Sequence, residues 1–481
     1  METAIWQEVI KSARRTAVFR LNGLWRAPLD WVELIVTDFH SEITEMPHMN
    51  RAADIGAAID IEEHRYIEAN SLSKSMFEEA GSYLPGGSSR QSLHFDPFPL
   101  FLSRADGSTV EDADGHKYVD FTCDMTAALY GHTDPAITAA LRDALSNGMS
   151  YGGPHAHEVA LGKEICKRFS SIDLVRFCTS GTEANLISMK LSTIVTGRRL
   201  ILAFEGGYHG YMCNYILPAK PLNVETDRMI FGTFNDIESV DRLVAKHEDK
   251  IAAIIVEPMM GSGGGIMADP GFLKALRATA DRIGALLILD EVQTARFAPG
   301  GMQSILGIEA DITALGKFLG GGLNFGAVGG RAQVLDRLSP MHPQTVMHGG
   351  TFNNNVLTMI AGYVGLRQVA TKSGIEALNS KGDDLRQRLE AIAAAKSVPL
   401  KAGCYGSILS LHFQEVLPKN PKEIETSKAL RKLYQLFMLN HGVYITRRGA
   451  INLSFAHTEA DFEHVADRFE AFLDSYGHLI T

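Results

Sequence analysis

The chain has 481 residues, 45% of them hydrophobic and 21% charged, which is globular composition in a chain too long for one small core. Its formal net charge of -10 argues against a nucleic-acid partner, which calls for a basic surface. Cys123, Cys166, Cys178, Cys213 and Cys404 are odd in number and show no Cys-x-x-Cys spacing, so reduced thiols in a cytoplasmic setting are expected rather than a disulfide framework or a metal site. No apolar run is long enough to span a membrane, and the start lacks the basic-then-apolar pattern of a secretory signal.

Residues 1–50 hold all three tryptophans, Trp6, Trp25 and Trp31. This N-terminal extension packs on the body, extends a subunit interface, or precedes a start at Met49; the sequence does not choose. From Ile61 to about Tyr83 the spacing of Tyr66, Ala69, Leu72 and Met76 predicts one amphipathic helix. Leu84-Pro-Gly-Gly-Ser-Ser-Arg90 breaks it, leaving Arg90 on a loop. Alternation about Asp114-Gly115 predicts a hairpin within Thr109–Phe121.

Helices are expected over Ala136–Leu145 and Glu158–Phe169. The strand Leu174–Cys178 then runs into Thr179-Ser-Gly-Thr-Glu-Ala-Asn185. Small hydroxyl residues and a glycine at a helix start suit an anion, because backbone N–H groups and the helix dipole point at it; an ordinary Ser or Thr N-cap is the other reading. Strand Arg199–Phe204 ends in Glu205-Gly-Gly-Tyr-His-Gly210, where Tyr208 either stacks on a flat ring or simply packs. Ile251–Val256 is an apolar strand with Glu257 at its end. After helix Gly271–Ile283, Ala285–Thr294 reads as a buried strand ending in two carboxylates, Asp290 and Glu291. Asp311–Gly330 carries Lys317 between an apolar run and a glycine cluster. Strands alternating with helices over 170–330 predict a parallel, doubly wound sheet.

Ligands of such sheets bind beyond the carboxyl ends of the strands, where Asp290 sits. Lys317 and Asp290 are then either a plain ion pair or a pyridoxal phosphate anchor, with the lysine as Schiff base and the aspartate on the pyridine nitrogen. Beyond residue 350, helices to about Ala370, over Asp383–Ala395, Glu423–Leu439 and Ala460–Ser475 are expected. Strands within Leu400–Phe413 and at Gly442–Thr446 and Ala450–Ser454 complete a smaller α+β layer.

Ser180-Gly-Thr-Glu-Ala-Asn185, Glu205-Gly-Gly-Tyr-His-Gly210, Asp290-Glu-Val-Gln-Thr294, Gly316-Lys317 and Gly350-Thr-Phe-Asn353 occur in that order. From about Tyr83 to the C-terminus the chain resembles the class III (omega) aminotransferases of the fold-type I pyridoxal-phosphate family. Leu84-Pro-Gly-Gly-Ser-Ser-Arg-Gln-Ser92, Asp96-Pro-Phe-Pro-Leu100, Gly349-Gly-Thr-Phe-Asn-Asn-Asn355 and Arg447-Arg-Gly449 are similar to the branch of glutamate-1-semialdehyde aminomutases, and more so to β-phenylalanine (β-amino-acid) aminotransferases.

The resemblance implies an α/β fold: a large domain, 113–370, with a mainly parallel seven-stranded sheet flanked by helices, and a smaller α+β domain from 51–112 and 371–481. It implies pyridoxal 5'-phosphate on Lys317 as a Schiff base, Asp290 on the pyridine nitrogen, and Val292 and Tyr208 on either face of the ring. Ser180, Gly181 and Thr182 hold the phosphate in this scheme, with Thr351 added from the partner of a homodimer. His209 and Glu257 support the ring, and Gln293 lies near its hydroxyl, where the β-amino-acid enzymes carry methionine. Arg90 matches the position that binds the donor's distal carboxylate, and Arg448 the position that binds the acceptor's α-carboxylate.

The implied activity moves an amino group from an aromatic β-amino acid to a keto acid such as 2-oxoglutarate or pyruvate, by ping-pong half-reactions. The aminomutase and an amine:pyruvate aminotransferase are the alternatives. Aminomutases carry a glutamate near the Arg448 position, which favours the aminotransferase, whereas Ser454-Phe-Ala-His-Thr458 is aminomutase-like. A nucleotide-binding oxidoreductase or a silent binding protein is a third reading, and the missing Gly-x-Gly-x-x-Gly speaks against its dinucleotide form.

Overall fold

A computed structural model describes residues 53–210 and 228–480; the expected extension 1–50 and Cys213 lie outside them. Contacts divide the chain into Met1–Gly56 and Ala57–Thr481, and all strands among the described residues belong to the second unit.

The first strands β1 (Leu102–Asp106), β2 (Thr109–Asp112) and β3 (Lys117–Asp120) are antiparallel neighbours, and Gly115 takes φ +89° in the predicted turn. The expected single helix before them is two. One ends at residue 69 and the second is Ser71–Ala80. The cause lies in the hairpin turn: the Asp114 carboxylate accepts from the amides of Leu72 and Ser73 at 2.7 and 2.9 Å, capping a new helix. The break shifts the helical phase, so Leu72 and Met76 end 54% and 44% exposed while Tyr66 is buried.

The large sheet is built from β4 (Leu174–Cys178), β5 (Leu200–Phe204), β6 (Met229–Gly232), β7 (Ile251–Val256), β10 (Leu286–Asp290), β11 (Ile312–Gly316) and β12 (Gly326–Gly330). The two-residue strands β8 (Met259–Met260) and β9 (Ile266–Met267) form a separate ribbon. The spatial order is β4-β12-β11-β10-β7-β5-β6. Every residue of β7 is buried, as a strand covered on both faces requires. Leu287 and Leu289 pack with helix Pro270–Ile283, whereas Ile288 packs with helix Gly181–Thr196.

The sheet is mixed: six strands run parallel, as the mainly parallel sheet implied by the resemblance requires, and one runs against them. β12 runs antiparallel to both β11 and β4. Its sequence, Gly-Ala-Val-Gly-Gly, carries one β-branched residue and hides the strand. The glycines are there for close approach: a Cβ on Gly326 would lie 2.2 Å from the Ser180 carbonyl, and one on Gly330 2.4 Å from the Asp311 carbonyl. Gly326→Ala is expected to destabilise the protein by about 1–3 kcal/mol through overpacking. A denaturant midpoint equal to wild type would contradict this.

Segments before and after the large sheet meet in the smaller layer. β13 (Lys401–Tyr405) and β14 (Ile408–His412) pair antiparallel, β15 (Val443–Tyr444) adds parallel to β3, and β16 (Ala450–Asn452) adds to β14. The two strands expected around Arg447-Arg448 therefore join different sheets, and the loop between them carries the arginines across. Tyr66, Phe95, Phe98, Val110 and Tyr118 share a core with Leu436 and Leu439, so the N- and C-terminal segments fold together. Helix Lys428–Asn440 starts later than the expected Glu423, because Ser427 supplies the N-cap to the Leu430 amide.

Candidate active site

Because β12 reverses direction, β4 points the same way as β11, β10, β7 and β5. The segments after their carboxyl ends thus gather along one edge: the 180s helix start, Lys317, Asp290, Glu257 and the Tyr208–Gly210 loop. Period-two alternation puts Asp290 on the face of Ile288, toward helix Gly181–Thr196. Asn185 of that helix donates to Asp290 Oδ2 at 2.7 Å, and His209 Nδ1 lies 2.8 Å from the same oxygen. Asp290 Oδ1 accepts from the Val292 amide at 3.1 Å.

His209 is buried, which alone would lower its pKa; the hydrogen bond and charge of Asp290, helped by Glu257, hold it above its ordinary value. Burial drives the Glu257 carboxyl up to about 7, against the opposing pull of His209. Glu257 accepts from the amides of Tyr208 and Gly261 at 2.9 and 3.1 Å, so it ties the 208 loop to the end of β7. Burial brings the Lys317 amine down to about 7, although Asp290, Glu257 and Asp124 favour its charged form. Lys317 Nζ donates to Met125 O at 2.6 Å and to Thr126 Oγ1 at 2.8 Å.

At the helix start the Ser180 hydroxyl is an N-cap, accepting from the Glu183 amide at 3.2 Å. The ordinary reading of that hydroxyl is therefore realised. The amides of Gly181 and Thr182 in the same first turn have no acceptor within the helix. A Cβ on Gly181 would lie 2.8 Å from Val292 Cγ2, and one on Gly210 2.5 Å from Thr182 Oγ1. Val292, Gly181 and Gly316 thus touch, and the 208 loop closes on Thr182. Gln293 lies against Gly261, whose Cβ would meet its side-chain oxygen at 2.1 Å.

Arg90 is exposed and donates to Asp124 Oδ1 at 2.5 Å. Arg448 is exposed on the loop between β15 and β16, and the charges of both arginines act on the Tyr208 phenol, opposing the rise caused by burial. Thr351 is exposed, on the loop that leads into helix Val356–Val364. Its neighbour His348 does pair with Glu183 at 3.2 Å.

Four residues at the site carry no sign of their role in the sequence. Asn185 closes the Ser180–Asn185 motif, yet its type alone does not point it at Asp290. Met125 and Thr126 hold the Lys317 amine, and Arg296, only 1% exposed, donates to the Thr126 and Leu453 carbonyls and to Ser407 Oγ at 3.1 Å. The aminomutase-like Ser454–Thr458 segment turns out to be packing: His457 is buried, stacks on Phe121 at 4.5 Å and bonds back to Ser454.

These residues fit pyridoxal phosphate. Asn185 Oδ1 is buried without a partner, three glycines keep the ground between Val292 and Thr182 clear of side chains, and a neutral-prone lysine stands near a carboxylate held by three donors. Fold and site together define a pyridoxal 5'-phosphate-dependent enzyme of fold type I. Residues 91–472 match the family model for class III aminotransferases, and the chain belongs to that family. It is 39% identical over 417 residues to the beta-phenylalanine transaminase of Variovorax paradoxus, covering 86% of this chain and 96% of that one. The crystal structure of a β-phenylalanine aminotransferase from Variovorax paradoxus superposes with a TM-score of 0.86 at 38% identity, over 88% of this chain and 99% of that one. A glutamate-1-semialdehyde 2,1-aminomutase of Francisella tularensis subsp. holarctica is 35% identical over 421 residues, 82% of this chain and 97% of its own. An omega-transaminase from Sphaerobacter thermophilus gives a TM-score of 0.80 at 33% identity, over 84% and 97% of the two chains. Among the described residues no helix is long and apolar enough to cross a membrane.

Proposed function

We propose that this enzyme transfers the amino group of a β-amino acid, aromatic as in β-phenylalanine, to a keto acid such as 2-oxoglutarate or pyruvate. The observation that carries the reading is a pair of guanidinium groups: Arg90, bound to Asp124 in the turn that holds Lys317 Nζ, and Arg448 on the loop between β15 and β16. Guanidinium suits carboxylates, and donor and acceptor each bring one. The similarity to the Variovorax enzyme supports the same donor class.

Bound pyridoxal phosphate supplies an electron sink that stabilises negative charge on the carbon carrying the amine. Lys317 holds the cofactor, and Asp290, fixed by Asn185, His209 and Val292, holds the proton on the ring nitrogen. The Gly181 and Thr182 amides and Thr182 Oγ1 take the phosphate. Val292 and Tyr208 cover the two ring faces. Arg90 takes the donor carboxylate in place of Asp124, and Arg448 takes the acceptor carboxylate. Lys317 Nζ, its pKa brought down by burial to about 7 so that a good part of it is neutral near that pH, would take up the proton from the substrate carbon and give it back as general acid.

The enzyme works as a homodimer in this reading, with the partner supplying a Thr351 to the phosphate. Exposed Met149, Tyr151, Val159, Met347 and Phe352 support it, since they flank two segments that meet where His155 Nε2 lies 2.7 Å from the Asn354 carbonyl. The free Cys123, Cys166, Cys178 and Cys404 suit a cytoplasmic location.

The test is a coupled assay: 3-amino-3-phenylpropanoate with 2-oxoglutarate or pyruvate should release glutamate or alanine. Activity on simple amines with none on any β-amino donor sinks the reading. Arg448→Ala should raise the keto-acid KM about 10- to 100-fold, the loss of a charge-assisted contact. It should leave the donor half-reaction within about threefold of wild type. Equal loss in both half-reactions contradicts the assignment.

A further inference from the structure

Residues Cys123–Thr126 all have positive φ, at 45°, 45°, 53° and 76°, and none is glycine. Four consecutive left-handed residues cost roughly 1–2 kcal/mol each, so surrounding contacts must hold the turn. They do so at both ends. Asp120 Oδ1 accepts from the amides of Thr122 and Cys123 at 2.7 and 3.0 Å. Asn452 donates to the Thr122 carbonyl at 3.0 Å, and Cys123 Sγ reaches the Asn452 carbonyl at 3.0 Å. Buried Arg296 donates to the Thr126 carbonyl. The turn points Met125 O and Thr126 Oγ1 at one atom, Lys317 Nζ.

We propose that this left-handed turn is the seat of the released Lys317 amine during proton transfer, with Thr126 as a positioning residue that aims the amine's lone pair at the reacting carbon. A neutral amine has two N–H groups and one lone pair. Met125 O and Thr126 Oγ1 take one N–H each, and tetrahedral geometry then fixes where the lone pair points. The proton leaves the substrate carbon for Nζ, making an ammonium, and passes to the cofactor carbon, restoring the amine. Asp290, Glu257 and Asp124 favour the ammonium, while burial and Arg296 oppose it, so the two states are balanced near neutral pH.

The proposal rests on Lys317 being the cofactor lysine, not on which donor the enzyme takes. In the pyridoxamine-phosphate form of the full chain the Lys317 amine is free. Competitive labelling with acetic anhydride across pH, read at the Lys317 peptide by mass spectrometry, gives its pKa without turnover. In wild type the inflection should fall below the ordinary lysine value of 10.5, since burial disfavours the ammonium. Thr126→Val removes the acceptor oxygen and should lower the inflection by about 1 unit, since that oxygen favours the ammonium. The same variant should slow the donor half-reaction on the order of 10- to 100-fold, with a larger isotope effect from donor deuterated at the amine-bearing carbon. Thr126→Ser should restore both. Should Thr126→Val not accumulate as folded protein, Thr126→Ala carries the same loss. Labelling and isotope effect unchanged in the oxygen-free variant, or Thr126→Ser as impaired as Thr126→Val, overturn the proposal. Borohydride fixing the cofactor to another lysine would instead sink the reading of the site itself.

Discussion

Lys317→Ala is expected to abolish turnover, with the donor half-reaction slowed by at least about 10⁴-fold, because in the proposed scheme one side chain anchors the cofactor and moves the proton. The fold should survive. Lys317 is half-buried and its partners are the Met125 carbonyl and the Thr126 hydroxyl, so removing it costs two hydrogen bonds and no ion pair. The linkage has a sign that can be checked. An unfolded lysine binds its proton up to the ordinary value of 10.5, whereas the folded one releases it near about 7. Between those values the unfolded state holds more protons, so the cofactor-free wild type gains stability as pH rises. Lys317→Ala should lose that gain and be relatively more stable near pH 7. Thermal melts at two pH values separate this from a general loss of structure. The variant should still take up pyridoxal phosphate weakly, and small primary amines should restore part of its activity. Turnover within tenfold of wild type contradicts the assignment.

Asp290→Asn is the second large effect. The carboxylate is 4% exposed and carries three donors from Asn185, His209 and the Val292 amide. The amide keeps the shape but loses the charge that, in the proposed scheme, holds the ring nitrogen protonated. The donor half-reaction should fall on the order of 10³-fold, within the range found for removing a fixed electrostatic group. His209 is held above its ordinary value by this carboxylate, against burial. In the variant its pKa should drop, and the His209 signal in a proton NMR titration should move to lower pH. The two readouts are independent: loss of rate with an unmoved His209 titration would mean that Asp290 acts elsewhere than between histidine and ring.

Strand ends were legible in the sequence. Asp290, Glu257 and Lys317 each close an apolar run, and parallel strands carry such residues to one edge. The helix start was legible too, because Ser180-Gly-Thr follows a strand directly. β12 was not, since its glycines answer to the Ser180 and Asp311 carbonyls rather than to strand propensity. Nor was the break at Asn70, which depends on Asp114 reaching across from a hairpin turn. The left-handed turn had no local sign at all. Cys-Asp-Met-Thr has no glycine to announce positive φ; the conformation is imposed by Asp120, Asn452 and Arg296 from distant parts of the chain. Arg90 and Arg448 are pointed to by resemblance alone, and the structure pairs Arg90 with Asp124.

Borohydride reduction of the pyridoxal-phosphate-loaded enzyme, followed by peptide mass spectrometry, tests the central claim most directly. One phosphopyridoxyl group per chain on Lys317, absent from Lys317→Ala, is the expected result. A group on any other lysine, or none on a chain that binds the cofactor and turns over, contradicts it.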